Sequence, residues 1–380
     1  MITPAHTAHL TRTTRLLGVS SGSSLTRTRV PGRRVVHLAV VSTLGLALAG
    51  CAGGATDTGS TEASLAVTLV VHESFPGDAF AAAASAATGY EVEVISAGDG
   101  GELTNKLVLT QGAPIADAFF GVDNVFASRL VDRDVVEPYL SEALPERAAE
   151  FAVDGVGSLS PVTLGATCVN IDPAWFAERG LAEPEGYDDL ADPAYAGLTV
   201  LLDPTSSSTG ASFLIGTVAA FGEDEFAEYW ASLADNGVRI EQGWTEAYNG
   251  QFTQGGGEGT FPIVLSYSSS PAWTVTEDGA ATTTRALLET CSSQVEYAGV
   301  LAGAENPEGA RAVVDYLLSR EFQDTIADTM YVYPVDPEAY VPDEWQQFAP
   351  MPEAPNDLTP AEIGAGRETW LKAWSEATGW

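Results

Sequence analysis

The chain has 380 residues, 45% of them hydrophobic, and a formal charge of -35. That length and apolar content support a large core with room for two lobes and exclude an intrinsically disordered chain. The acidity excludes nucleic acid as a partner and disfavours anionic lipid surfaces, but it favours a cationic ligand only weakly, because exposed charges are screened within about 8 Å in physiological salt.

The charge is unevenly spread. Arg12, Arg15, Arg27, Arg29, Arg33 and Arg34 all precede residue 51 in a stretch without Asp or Glu, leaving 11 basic against 52 acidic residues beyond it. The apolar run 35–49 follows Arg33-Arg34 and ends in Leu48-Ala49-Gly50-Cys51. It is short for a membrane span and suits a signal-peptide core. The tetrad resembles a bacterial lipobox, in which Cys51 takes a diacylglyceryl group and becomes the mature N-terminus; a plain membrane anchor with a chance cysteine is the alternative. Residues 1–50 then read as a lipoprotein signal peptide. Residues 51–65, rich in Gly, Ala, Thr and Ser, read as a flexible tether that leaves the protein outside the cell, anchored by lipid to the outer face of its membrane. Arg33-Arg34 leaves twin-arginine export open. Without Cys51, only Cys168 and Cys291 remain; two cysteines in an exported protein suggest one disulfide, with two buried thiols as the alternative.

In chain order, the β-branched run 67–71 predicts a first strand. After the Pro76-Gly77 turn, 78–88 predicts an alanine-rich helix capped by Asp78 and stopped by Gly89, and 91–95 a second strand. A loop at 98–101, a helix over 102–109, a strand at 116–120 and a helix from Asp123 continue the βαβ pattern, so a parallel-sheet α/β lobe is expected. A second α/β series begins with a strand at 164–170, a helix at 173–179 behind Asp172 and a strand at 198–202, then an apolar helix ending near Phe221. The helix 223–235 carries Phe226, Tyr229, Trp230 and Leu233 at spacings of three and four, a core face. The glycine-rich stretch 255–259 before a strand at 261–267 reads as a flexible surface excursion, since it lacks the lysine and setting of a phosphate loop. Thr359-Pro360-Ala361-Glu362 opens a C-terminal helix with Ile363, Trp370 and Trp374 on one face.

Of the four histidines, His6, His9 and His37 precede the lipobox, which leaves His72. One histidine and no expected free thiol argue against a zinc site or a cysteine nucleophile, so binding is favoured over catalysis and neither metal nor cofactor is expected. An acidic pair for glycoside hydrolysis stays formally open. The segments around Trp244 and Tyr267 place aromatic rings beside small polar residues in expected loops, a pattern found in ligand clefts, with Tyr248 read as packing.

Several motifs together are similar to the periplasmic thiamine-binding proteins of bacterial ABC importers. They are Val71-His72-Glu73-Ser74-Phe75, Gly98-Asp99-Gly100, Gly121-Val122-Asp123-Asn124, Asp203-Pro204-Thr205-Ser206-Ser207-Ser208-Thr209-Gly210, Gly243-Trp244-Thr245-Glu246-Ala247-Tyr248, Leu265-Ser266-Tyr267-Ser268-Ser269-Ser270-Pro271-Ala272-Trp273 and Tyr333-Pro334-Val335. The resemblance implies an α/β, two-lobe type II periplasmic-binding-protein fold with the ligand in the cleft. Lobe 1 would comprise 66–163 and 296–329, and lobe 2 would comprise 164–295 and 334–380. It further implies a monomer that passes thiamine, thiamine monophosphate or thiamine diphosphate to an ABC permease and its ATPase.

Carried over by position, Asp99 with Gly100 receives the aminopyrimidine, Trp244 stacks on the cationic thiazolium and Tyr267 lines the same pocket. Ser207 and Ser208 stand on the phosphate side, at a helix N-terminus, where plain capping is the alternative. Ser268, Ser269, Ser270 and Pro271 add contacts from the opposite side. His72 replaces a family tyrosine, Trp273 a tyrosine and Tyr331 a tryptophan, so flat rings persist, although a protonated His72 would repel the thiazolium. The crossings between lobes fall near 161–166 and 294–299, with Cys168 and Cys291 just beyond them. Rival readings are a receptor of the same fold for a polyamine or ferric iron, and an exported enzyme.

Overall fold

The computed structural model describes residues 65–153 and 157–380; Cys51, the leader and the tether through residue 64 lie outside the described residues. The first series is β1 (Ala66–Val71), α1 (Gly77–Thr88), β2 (Glu91–Ser96), α2 (Gly100–Leu109), β3 (Ala118–Asp123) and α3 (Ala127–Asp132). β1 pairs in parallel with β2 on one side and β3 on the other, as a repeated βαβ unit requires. The expected boundaries shift locally. Helix α1 starts at Gly77 behind Pro76 with no side-chain cap, and Asp78 sits in its first turn, where a carboxylate suits the helix dipole. Helix α2 starts two residues earlier than the pattern suggests because Asp99 caps it. Asp123 ends β3 instead of opening a helix: its Oδ1 accepts the N–H groups of Val125 and Phe126 and so turns the chain into α3.

The second series is β4 (Ser160–Ile171), α4 (Pro173–Arg179), α5 (Tyr187–Ala191), β5 (Thr199–Leu202), α6 (Ser208–Phe221), α7 (Phe226–Asp235), β6 (Arg239–Glu241) and β7 (Ile263–Tyr267). The chain then runs through β8 (Arg285–Val300), α8 (Pro307–Leu317), α9 (Arg320–Gln323), α10 (Ile326–Met330), β9 (Tyr333–Pro334), α11 (Trp345–Phe348) and α12 (Pro360–Thr378). Asp172 caps α4, and Thr359 with Glu362 closes a capping box at α12, both at the positions the sequence marks.

The strands run in the order β2-β1-β3-β8-β4-β7-β5-β6, with β9 added to β4. Two parallel triplets, β2-β1-β3 and β6-β5-β7, thus flank the antiparallel pair β4 and β8. The start of β4 pairs with the end of β8, which in turn pairs with β3, while the far end of β4 pairs with β7. These two long strands therefore belong to both halves, and a two-lobed α/β molecule results. Every residue of β4 is buried, as expected of a strand covered on both faces. Helix α12 docks through Trp374, edge-on against Trp230 of α7, and through Arg367, whose guanidinium lies 5.3 Å over the Phe126 ring.

Cys168 of β4 and Cys291 of β8 are joined by a disulfide, with Cα atoms 4.2 Å apart at a sequence separation of 123. The pairing of β4 with β8 shifts register between Thr167 and Val169, so the bridge ties the two crossing strands where their ladder is interrupted. A cross-link over so long a loop removes much of the unfolded chain's freedom. Replacing both cysteines by alanine is expected to lower the unfolding free energy by about 2–5 kcal/mol in urea titration; an unchanged midpoint would show that the strands hold without it.

Candidate ligand-binding cleft

The two halves meet through one carboxylate. Asp99 stands in the loop before α2, and its Oδ1 accepts the N–H of Gly100 at 2.6 Å and that of Ser208, the first residue of α6, at 3.0 Å. Its Oδ2 accepts the N–H of Trp244 at 3.0 Å. Trp244 opens the helical turn Thr245–Gln251, so the stretch expected to be a loop is helical and three helical N-termini converge on one side chain. Each end contributes partial positive charge and an unsatisfied N–H, which a carboxylate satisfies. A backbone bond from Glu102 N to Ser206 O at 3.0 Å completes the seam.

Beside this seam lies a cavity of about 290 Å³, lined in part by Asp99, Gly100, Trp244, Tyr267, Ser270 and Glu296. This is near the lower end of ligand-pocket volumes, about 300 Å³, and suits a single small molecule. One wall is aromatic. Trp244 stacks on Tyr248 with ring centroids 5.0 Å apart and planes within 10°, and Tyr267 leans against Trp244 at 6.4 Å. The indole is held by a bond from its Nε1 to Ser266 Oγ at 2.8 Å, and Ser266 bonds to Ser270, whose Oγ accepts the Tyr267 N–H. The glycine-rich stretch does run over the surface, with Gly256, Gly257 and Glu258 exposed, but it lies close against the chain: a Cβ at Gly255 would lie 1.7 Å from Tyr248 O, and one at Gly259 would lie 2.3 Å from Gln251 O. Glycine lets that strip press on the backbone that carries the aromatic wall.

The opposite rim is formed by Tyr331 and Trp273, in edge contact at 5.0 Å. Tyr331 adopts a left-handed φ of 55°, and its carbonyl accepts the Ser269 hydroxyl, which holds it there. For a bulky residue that backbone costs about 1–3 kcal/mol, a strain concentrated at ligand clamps elsewhere. The floor carries His72 and Glu296, with Nε2 and Oε1 3.5 Å apart. Beneath it Asp123 is fully buried; burial foremost, reinforced by the charges of Glu296 and Asp99 and opposed by two backbone N–H bonds, pushes its carboxyl well above the usual range.

Of the residues singled out by sequence, His72, Asp99, Gly100, Trp244, Tyr267, Ser270, Trp273 and Tyr331 line this one cavity. Ser207, Ser208, Ser268, Ser269 and Pro271 do not. Ser207 caps α6 through a bond from Gly210 N, and Ser208 gives its N–H to Asp99. Ser269 holds Tyr331, while Ser268 and Pro271 face a different groove. Sequence reasoning missed Glu73, Thr209 and Glu296 as lining residues and read Tyr248 as packing alone; Tyr248 is both buried and part of the wall. The motif containing His72 already included Glu73, but nothing local marks Glu296 in the middle of a strand.

Gly121, at a bulge between β3 and β8, has φ 101°, and a Cβ there would lie 2.3 Å from His72 Cδ2. Gly121→Ala is therefore expected to lose at least about 1 kcal/mol of stability and to weaken ligand binding by displacing the imidazole. Gly112→Ala, at a similar φ of 81° in open space, is the control. Equal losses in both would show that backbone strain alone is at work.

Comparison with known proteins agrees with this architecture. The family model described as bacterial extracellular solute-binding protein matches residues 113–353. The thiamine-binding periplasmic protein of Escherichia coli (strain K12) is 27% identical over 326 residues, covering 82% of this chain and 93% of the relative. A solved periplasmic thiamin binding protein superposes with a TM-score of 0.70 at 24% identity, over 82% of this chain and 96% of that one. Iron-bound HitA from Pseudomonas aeruginosa shares the fold at a TM-score of 0.65 and 22% identity, over 82% of this chain and 99% of its own. A cleft between two α/β halves that share β4 and β8, together with a family match across most of the described residues, shows that the chain belongs to the bacterial extracellular solute-binding proteins, the capture components of ABC importers.

Proposed function

We propose that the cleft takes up thiamine and presents it to an ABC permease and its ATPase, with lipid on Cys51 tethering the chain to the outer face of the membrane. The observation that carries this reading is the cavity lining. The stacked rings of Trp244 and Tyr248, with Tyr267 tilted against Trp244, stand with three carboxylates, Glu73, Asp99 and Glu296, and among the described residues no Lys or Arg lines the cavity. A flat aromatic cation satisfies both features: the rings offer cation-π contacts of about 0.5–2 kcal/mol each, and the carboxylates supply countercharge. Asp99 spends three acceptor positions on backbone N–H groups and retains capacity for one more donor, such as an exocyclic amine. The names of the E. coli relative and the thiamin-binding structure support the same ligand.

Phosphorylated forms are the weaker ligands in this reading. The α6 N-terminus, the natural phosphate site, already holds the Asp99 carboxylate, and Ser207 is used in capping. Three lining carboxylates also suit a polyamine, which has no ring to stack, so spermidine is the informative control.

Calorimetric titration is expected to show one thiamine bound per chain, more tightly than thiamine diphosphate. Trp244→Ala should weaken thiamine binding at least roughly tenfold, about 1.4 kcal/mol. Tight spermidine binding that ignores Trp244→Ala would replace the vitamin by a polyamine. For the anchor, Cys51→Ser is expected to move the protein from the membrane pellet to the soluble fraction; retention in the pellet would refute lipidation at Cys51.

A further inference from the structure

Three carboxylates line the cavity; Glu73 is exposed and so kept in contact with water, while Asp99 and Glu296 differ in what already compensates them. Asp99 is bound by three backbone N–H groups at three helical N-termini, so its charge is largely met by the protein itself. Glu296 is buried in β8, opposite Thr163 of β4, whose hydroxyl donates to Oε2 at 2.7 Å. Oε1 accepts no hydrogen bond among the described residues; its neighbour is His72 Nε2 at 3.5 Å, a buried atom that likewise has no hydrogen-bond partner. Both side chains line the cavity, and among the described residues no Lys or Arg lines it with them. A buried carboxylate with one oxygen anchored and the other open is a poor structural element by itself, because its desolvation is only half compensated. The arrangement makes sense when a ligand supplies the missing positive charge.

The field of Glu296 also reaches the aromatic wall. Burial first, next the charge of Glu296 and to a smaller extent that of Asp99 push the Tyr267 phenol far above its ordinary value, so the phenol stays neutral, bonded to Thr209 Oγ1 at 3.1 Å. A cation resting on that wall would sit near a carboxylate whose one charged neighbour within 4 Å is His72, and then only when that imidazole is protonated.

Resting on the thiamine reading, we infer that Glu296 is the specificity-determining residue for positive charge on the ligand, whereas Asp99 acts first as the clasp joining the two halves. Glu296 holds the thiazolium ring by charge, and Thr163 positions its carboxylate.

The test compares thiamine with an analogue whose thiazolium is replaced by a neutral thiophene, titrated calorimetrically against the wild-type protein, Glu296→Gln and Glu296→Asp. Wild type is expected to prefer thiamine by roughly tenfold or more. Glu296→Gln should lose most of that preference while binding the neutral analogue as before, and Glu296→Asp should keep the preference at lower affinity. Partial misfolding would lower both affinities together and leave their ratio untouched, so the ratio reports the charge itself. A wild-type ratio retained in Glu296→Gln overturns this inference and leaves the thiamine reading standing. A wild-type protein that binds neither compound overturns that reading, and the inference with it.

Discussion

The cleft is organised around the placement of one carboxylate where three helices begin. Asp99 gathers the N–H groups of Gly100, Ser208 and Trp244, which lie up to 145 positions from it in the chain. Without it, three part-buried donors would lose their acceptor, at up to about 1–3 kcal/mol each. With it, α2 of one half, α6 of the other and the aromatic turn behind Trp244 take fixed places relative to one another. The cavity wall inherits that order, because the indole orientation is set at its backbone by Asp99 and at its ring by Ser266.

The same clasp divides the electrostatic work. Asp99 has both oxygens engaged by backbone N–H groups at helix N-termini, whereas Glu296, anchored by one hydroxyl, keeps an open oxygen toward the cavity. The protein thus separates a structural acid from a ligand-facing one within a single site. Tyr331 adds a further functional strain: its left-handed backbone is held by Ser269 and by rings on both sides, Trp273 and Trp345.

Much of the fold could be read from the chain because its signals are local. β-branched runs became β1, β2 and β5; the capping residues Asp172 and Thr359 start α4 and α12; the aromatic stripe from Phe226 to Leu233 is the buried face of α7. The errors fall where a distant partner overrides the local pattern. Asp123 looked like a helix start and is instead the end of a strand, because β8 extends the ladder to it. The glycine-rich stretch lies on the surface as read, but its close approach to the backbone of the Tyr248 turn had no local signal. Ser207 and Ser208 looked like a phosphate site, but the N–H group such an anion would use is occupied by a carboxylate 109 residues away.

By itself the sequence determined the kind of protein: alternating strand and helix periods, the aromatic and serine motifs near the cleft, and a scarcity of histidine and cysteine that argues against metal or thiol chemistry. Those properties depend on residue type and short-range spacing. Only the tertiary structure decided which acid keeps an open oxygen at the cavity, since Glu296 is an unmarked residue within β8 that comes to line it through its pairing with Thr163 and its position beside His72. Charge acts through space, and the distances that give it force exist only once β4 and β8 have joined the two halves.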